Sequence, residues 1–289
     1  MTAIRPRRSV LYMPGSNARA LEKARTLPAD ALILDLEDAV APDAKDLARK
    51  QVAEAVKAKG FGKREVIIRI NALSTPWGEA DLEAAAEARP DAILVPKVSL
   101  AGDLHQIDRR LMQADAAIGI WAMIETPLAI LNIAAIAAAG GRLACFVMGT
   151  NDLIKEVRGV HTPDRTNLVT ALGLSVLAAR AHDLAILDGV FNDIQDTDGF
   201  TLCCGQARSF GFDGKTLIHP SQVETANTIF SPSPEDVIAA RQLIAAFELP
   251  ENKGKGAIKV DGRMVELLHA DIAKRTVAVA DAIAALEAA

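Results

Sequence analysis

Five short apolar runs each end on a charged residue, and those residue types could together hold a divalent metal and a small acid. Residues 31–34 lead to Asp35, Glu37 and Asp38; 66–68 to Arg69; 93–95 to Lys97; 121–124 to Glu125; and 146–151 to Asp152. Glu125 and Asp152 offer two hard oxygen ligands. Two carboxylates that leave the other positions to water and substrate suit Mg2+ better than zinc, with Mn2+ as an alternative ion. The five histidines, at 105, 161, 182, 219 and 269, show no paired zinc spacing. Arg69 adds a planar guanidinium fitted to a carboxylate or keto oxygen. A metal beside an arginine describes a pocket for an oxo-acid whose enolate must be stabilised.

The elements that must position these groups alternate. Strands are expected at 9–13, 31–36, 66–70, 92–95, 119–124, 143–148, 185–190 and 216–218. Helices are expected at 17–27, 43–59, 79–88, 101–114, 128–139, 166–182 and 199–210, with further helices at 221–230 and 234–247. Eight alternating units point to an α/β fold, a (β/α)8 TIM barrel with a C-terminal helical arm, rather than a doubly wound sheet. Glu37, Asp38, Arg69, Lys97, Glu125, Asp152, Asp188 and His219 would then share the C-terminal rim, where barrel enzymes place their chemistry. Any one of them alone could be a solvated loop charge. Asp152 in particular could cap a helix, and it is the joint placement that argues for a site. The barrel is expected to span 1–249. Residues 250–256 read as a polar linker and 264–286 as an amphipathic helix, making 250–289 an arm or lid.

Composition sets bounds. Half of the 289 residues are hydrophobic but only 4% are aromatic, so the core must be aliphatic. The net charge of −5, without a basic stripe interleaved with aromatics, gives little support to nucleic-acid binding. Cys203 and Cys204 are adjacent and Cys145 lies in an apolar run, a pattern that suits a reduced, cytoplasmic compartment. No stretch reaches membrane-spanning length, and the run after the basic first eight residues is too short for a signal sequence. Two look-alikes fail. No Gly-x-Gly-x-x-Gly follows the first strand, and Gly214-Lys215-Thr216 lacks the earlier glycine of a P-loop, Ser209 standing there. Cys203-Cys204 has no base or metal spacing beside it to support redox chemistry.

Seven segments in register carry a family resemblance: Arg8–Ser16, Asp35–Pro42, Ile68–Asn71, Pro96–Val98, Glu125–Thr126, Gly149–Asp152 and Gly214–Pro220. In order along nearly the whole chain, they resemble the citrate lyase β-subunit-like CoA-ester lyases, a group that includes malyl-CoA, β-methylmalyl-CoA and citramalyl-CoA lyases. The resemblance implies a Mg2+-dependent barrel, a homotrimer or homohexamer, cleaving 3-hydroxyacyl-CoA thioesters to a keto-acid and an acyl-CoA. It matches Glu125 and Asp152 to metal ligands and Arg69 to the substrate-binding arginine. Glu37 and Asp38 match the supporting acids, Tyr12 and Lys23 match CoA contacts, Asn151 falls in the metal-loop motif, and Ile218 and His219 match contacts near the thioester. Arg7, Arg8, Arg19 and Lys23 are expected around the first helix's N-terminus, where CoA phosphates would meet them.

One departure matters. The family's arm commonly carries an aspartate that enters a neighbouring subunit's site, whereas Gly262-Arg-Met-Val is followed here by Glu266. Together with the compact length this resembles the malyl-CoA thioesterase-like branch. Glu266 would either protonate an enolate or support hydrolysis to malate and CoA; the bland reading is an ordinary first-turn glutamate. Alternatives are a citrate-lyase-type subunit working on an acyl-carrier-protein thioester, and a non-catalytic CoA-binding or assembly subunit.

Overall fold

The computed structural model describes residues 4–260 and 262–288, in two compact units. One is Arg7–Ile229, and the other runs from Phe230 onward with the N-terminal residues up to Pro6.

The first unit is the expected barrel. Strands β1 (Ser9–Pro14), β2 (Ala31–Asp35), β3 (Glu65–Arg69), β4 (Ala92–Val95), β5 (Gly119–Ile124), β6 (Leu143–Met148), β7 (Ala185–Asp188) and β8 (Gly214–Leu217) close in sequence order, all parallel. The interior is filled by alternate residues of successive strands, among them Val10, Ile33, Ile67, Leu94, Trp121, Val147 and Leu187. A barrel packed this way is a solid core, and the chemistry is left to its ends. The outer layer comprises α1 (Ala18–Ala24), α2 (Lys45–Ala58), α3 (Gly78–Ala88), α4 (Ala101–Arg110), α5 (Pro127–Leu131), α6 (Ile133–Ala137), α7 (Thr150–Glu156), α8 (Val169–Ala181), α9 (Thr197–Phe210) and α10 (Val223–Phe230). Several begin on side-chain caps: Asn17 Oδ1 accepts from Ala20 N at 3.1 Å, Thr126 Oγ1 from Ala129 N at 3.0 Å, and Asp196 Oδ1 from Gly199 N at 2.8 Å.

Three features depart from expectation. The helix expected at 128–139 is broken at Asn132, whose side chain donates to Leu128 O at 2.9 Å and to Ser99 O at 3.3 Å. Those bonds tie the backbone to the neighbouring loop in place of a continuous helix. Asp152 does not cap a helix. It lies inside the first turn of α7, whose N-cap is Gly149, so its carboxylate is not consumed by a cap. Arg7 and Arg8 are not near α1 but at the opposite, N-terminal end of β1. Arg7 donates to Glu65 at 2.6 and 2.8 Å and covers the Trp121 ring at 5.1 Å. Arg8 is buried on Asp30 at 2.8 and 2.9 Å. They close the barrel floor, and Arg19 and Lys23 remain exposed on α1.

In the second unit α11 (Pro234–Glu248) packs against α12 (Leu267–Glu287), with Arg241 paired to Asp281 at 2.6 Å. An antiparallel hairpin, β9 (Ala257–Val260) with β10 (Arg263–Glu266), follows the expected linker and replaces the first residues of the helix expected from 264. Glu266 therefore ends a strand and N-caps α12, its own N–H donating to His269 Nδ1 at 3.0 Å.

Candidate active site

The site is built outward from Asp35, the last residue of β2. Its register partner on β3 is Arg69. Both Asp35 oxygens accept from the guanidinium, from Nε and Nη2 at 2.6 Å each, and also from the backbone N–H groups of Glu37 at 2.9 Å and Ala39 at 3.0 Å. Asp35 is wholly inaccessible. Its carboxylate therefore does two jobs: it orients Arg69, and it shapes the turn that carries Glu37 and Asp38. The Tyr12 ring covers one face of the guanidinium at 4.8 Å. The two-toothed edge of Arg69 is thus already occupied, and Nη1 is the nitrogen outside that pair, donating to Asp38 and to Met123 Sδ. Nη1 lies 3.3 Å from Asp38 Oδ2 and 2.9 Å from Glu37 Oε2. The Glu37 contact lacks hydrogen-bond alignment, so that buried oxygen has no hydrogen bond.

On the other side, Glu125 follows β5 and is almost fully buried. Gly149 makes this possible, since a Cβ there would stand 2.6 Å from Glu125 Oε2. Glu125 Oε1 accepts the Lys97 backbone N–H at 2.7 Å, and the Lys97 ammonium is paired with Asp152 while lying 3.8 Å from the same Glu125 oxygen. Lys97, expected only to shape the rim, is thus bonded directly to both candidate metal ligands. A cavity of about 360 Å³ opens between the two sides, lined by Tyr12, Asp38, Arg69, Glu125, Asn151, Asp152 and Ile218, with Met123, Met148 and Val190 as its apolar wall. Asn151 and Asn192 exchange amide hydrogen bonds at 2.9 and 3.0 Å on its edge.

Electrostatics follow burial. Burial pushes the Glu125 carboxyl up to about 7 against the opposing pull of Lys97. It likewise pushes Glu37 up to about 8 against Arg69. The Tyr12 hydroxyl is raised by burial despite Arg69. For Lys97, partial burial is outweighed by Asp152 and Glu125, which hold it protonated beyond the usual lysine range. Among the described residues no three His, Cys, Asp or Glu side chains converge on one point. The donor set is two carboxylates, which fits an ion that keeps water and substrate oxygens and does not fit structural zinc. The Lys97 ammonium lies beside both carboxylates.

Other expected residues lie elsewhere. Lys23 is exposed on α1 and does not line the cavity. His219 caps the turn after β8, its Nδ1 2.8 Å from Ser221 Oγ, beside cavity-lining Ile218. Asp188 faces the helix layer, buried on Lys215 at 2.6 Å and Arg165 at 2.8 Å. Glu266 belongs to the second unit. From sequence, Asp35 and Lys97 stand only as charges at strand ends, without a partner assigned to either. The signal for Asp35 was its position as the final strand residue directly beside Arg69.

The family model described as HpcH/HpaI aldolase/citrate lyase matches residues 8–220, the barrel almost entire. The chain belongs to this family. Within it, the chain is 52% identical to a (3S)-malyl-CoA thioesterase of Cereibacter sphaeroides over 98% of both chains. It is 34% identical to the citrate lyase subunit beta of Escherichia coli K12, over 91% of this chain and 89% of that one. Among solved structures it is similar to CitE of Mycobacterium tuberculosis in complex with magnesium, acetoacetate and coenzyme A, with a TM-score of 0.74 at 29% identity, covering 93% of this chain and 97% of that one. The match spans the barrel, and among the described residues no helix is long and apolar enough to cross a membrane.

Proposed function

We propose that the protein is a cytoplasmic Mg2+-dependent enzyme that hydrolyses the thioester of (3S)-malyl-CoA and related 3-hydroxyacyl-CoA esters, giving malate and CoA. The observation that carries this is full-length identity of 52% to proteins named for that reaction, together with a rim holding Arg69, Glu125 and Asp152 around one cavity.

Glu125 and Asp152 would hold the metal, which when bound supplies Lewis-acid polarisation of substrate oxygens. Arg69 Nη1 binds the substrate carboxylate, while Asp35 and Tyr12 keep the guanidinium from swinging away. Met123, Met148 and Val190 exclude water from the acid end. Glu37, with its carboxyl pushed up to about 8, holds a proton beside Nη1 at neutral pH. Ile218 borders the mouth, where the thioester and CoA tail would lie, with Tyr12, Lys23, Asn151 and His219 as further candidate contacts. Glu266, from the 250–289 arm, is the acid or base supplied to the site of another subunit in a homotrimer or homohexamer.

A second reading, carbon–carbon lysis to acetyl-CoA and glyoxylate, draws on the 34% identity to citrate lyase subunit beta. Quantifying malate, free CoA, glyoxylate and acetyl-CoA from (3S)-malyl-CoA separates the two. Malate and CoA in equal amounts are expected. Glyoxylate with acetyl-CoA would establish the lyase instead, and turnover only of carrier-protein thioesters would replace both.

A further inference from the structure

Lys97 touches the Glu125–Asp152 pair in two ways. Its ammonium is paired with Asp152 and lies 3.8 Å from Glu125 Oε1, while its backbone N–H holds that same Glu125 oxygen at 2.7 Å. The residue sits at φ 56°, in the left-handed region that residues with a Cβ seldom adopt. Its side chain is 42% exposed, so the ammonium has solvent to retreat into. Lys155 Nζ lies farther off, 3.9 Å from Asp152 Oδ1, on a more exposed side chain, so Lys97 is the cation nearest the pair. A dication balances both carboxylates by itself, and an ammonium against a dication repels it.

We propose that Lys97 is the resident counter-cation of the Glu125–Asp152 pair, and that a divalent metal enters by displacing its ammonium. This rests on the Mg2+ reading above. Because the backbone N–H of Lys97 holds Glu125, displacement moves one flexible side chain and leaves that carboxylate oriented. The lysine therefore sets the metal affinity of the site and keeps the two acids compatible before metal arrives.

The test is calorimetric titration of MgCl2, without substrate, into the full-length wild type and the Lys97→Met, Lys97→Gln and Lys97→Arg variants, with melting curves in EDTA and in Mg2+. Lys97→Met should bind Mg2+ on the order of tenfold more tightly than wild type. It should also melt lower in EDTA and gain more from Mg2+. Lys97→Arg keeps the charge and should stay near wild type. If Lys97→Met does not fold, Lys97→Gln carries the same expectation. Equal or weaker affinity in the neutral variants, with wild-type binding intact, would overturn displacement while leaving the metal reading standing. Absence of binding heat in every protein would remove both.

Discussion

At the scale of single residues, Asp35 and Arg69 form the joint on which the acid-binding side turns. Breaking a buried pair costs more than the pair itself is worth, because it strands a charge in the interior. Asp35→Asn is therefore expected to lower unfolding stability by about 3 kcal/mol in urea titrations and to raise KM for the acyl-CoA substrate, since the guanidinium loses its orientation. A variant with wild-type stability and KM would show that Arg69 is held by other contacts. Much of this joint was legible beforehand, because strand ends beside charges already mark a barrel rim. Which acid would bind Arg69 was not legible. Asp35, Glu37 and Asp38 lie within four positions of one another, and only the parallel register of β2 on β3 selects Asp35. Arg7 and Arg8 misled for a similar reason. They are close in sequence to α1, but β1 runs between and carries them to the other end of the barrel.

At the scale of elements, the β7–β8 edge is tied to the helix layer by Asp188, Lys215 and Arg165. Burial alone would raise the Asp188 carboxyl, but Lys215 and Arg165 outweigh it and hold it below the ordinary range. Burial alone would lower Lys215, but Asp188 outweighs it and holds the lysine above its ordinary value. A depressed acid stabilises the fold above its unfolded value and loses that contribution as pH falls through its folded value. A raised lysine does so below its unfolded value and loses it as pH rises through its folded value. The network therefore contributes between about pH 4 and about pH 10. Lys215→Met removes one of the two cations that depress Asp188. It should cost about 3 kcal/mol at pH 7 and move the acid-unfolding midpoint, followed by circular dichroism, to higher pH. An unchanged midpoint would mean that Arg165 suffices. The short apolar runs made the first seven barrel strands readable in advance, whereas β8, Gly-Lys-Thr-Leu, begins two residues before the expected 216. The β9–β10 hairpin was not read, although Asp261-Gly262 between alternating segments was its sequence signal; polar neighbours on either side hid that alternation.

At the scale of the whole molecule, the cavity is lined entirely by the Arg7–Ile229 unit, whereas Glu266 lies in the C-terminal unit. If another subunit supplies Glu266, Glu266→Ala and Asp152→Ala should each be inactive as pure oligomers. Co-expressing the two should restore activity, because mixed oligomers contain sites with both residues intact. Full activity of pure Glu266→Ala would place Glu266 outside the reaction, and mixed oligomers that stay inactive would confine its action to its own chain. The reading as a whole turns on whether thioester cleavage needs a metal held by Glu125 and Asp152. The most direct measurement is the rate of CoA release from (3S)-malyl-CoA by protein stripped with chelator, then supplied with saturating Mg2+, for wild type and Asp152→Asn. Wild-type release should vanish on stripping and return with Mg2+, and the variant should remain at least about a hundredfold slower at any Mg2+ level. Undiminished cleavage by the stripped protein, or full activity in Asp152→Asn, would contradict it.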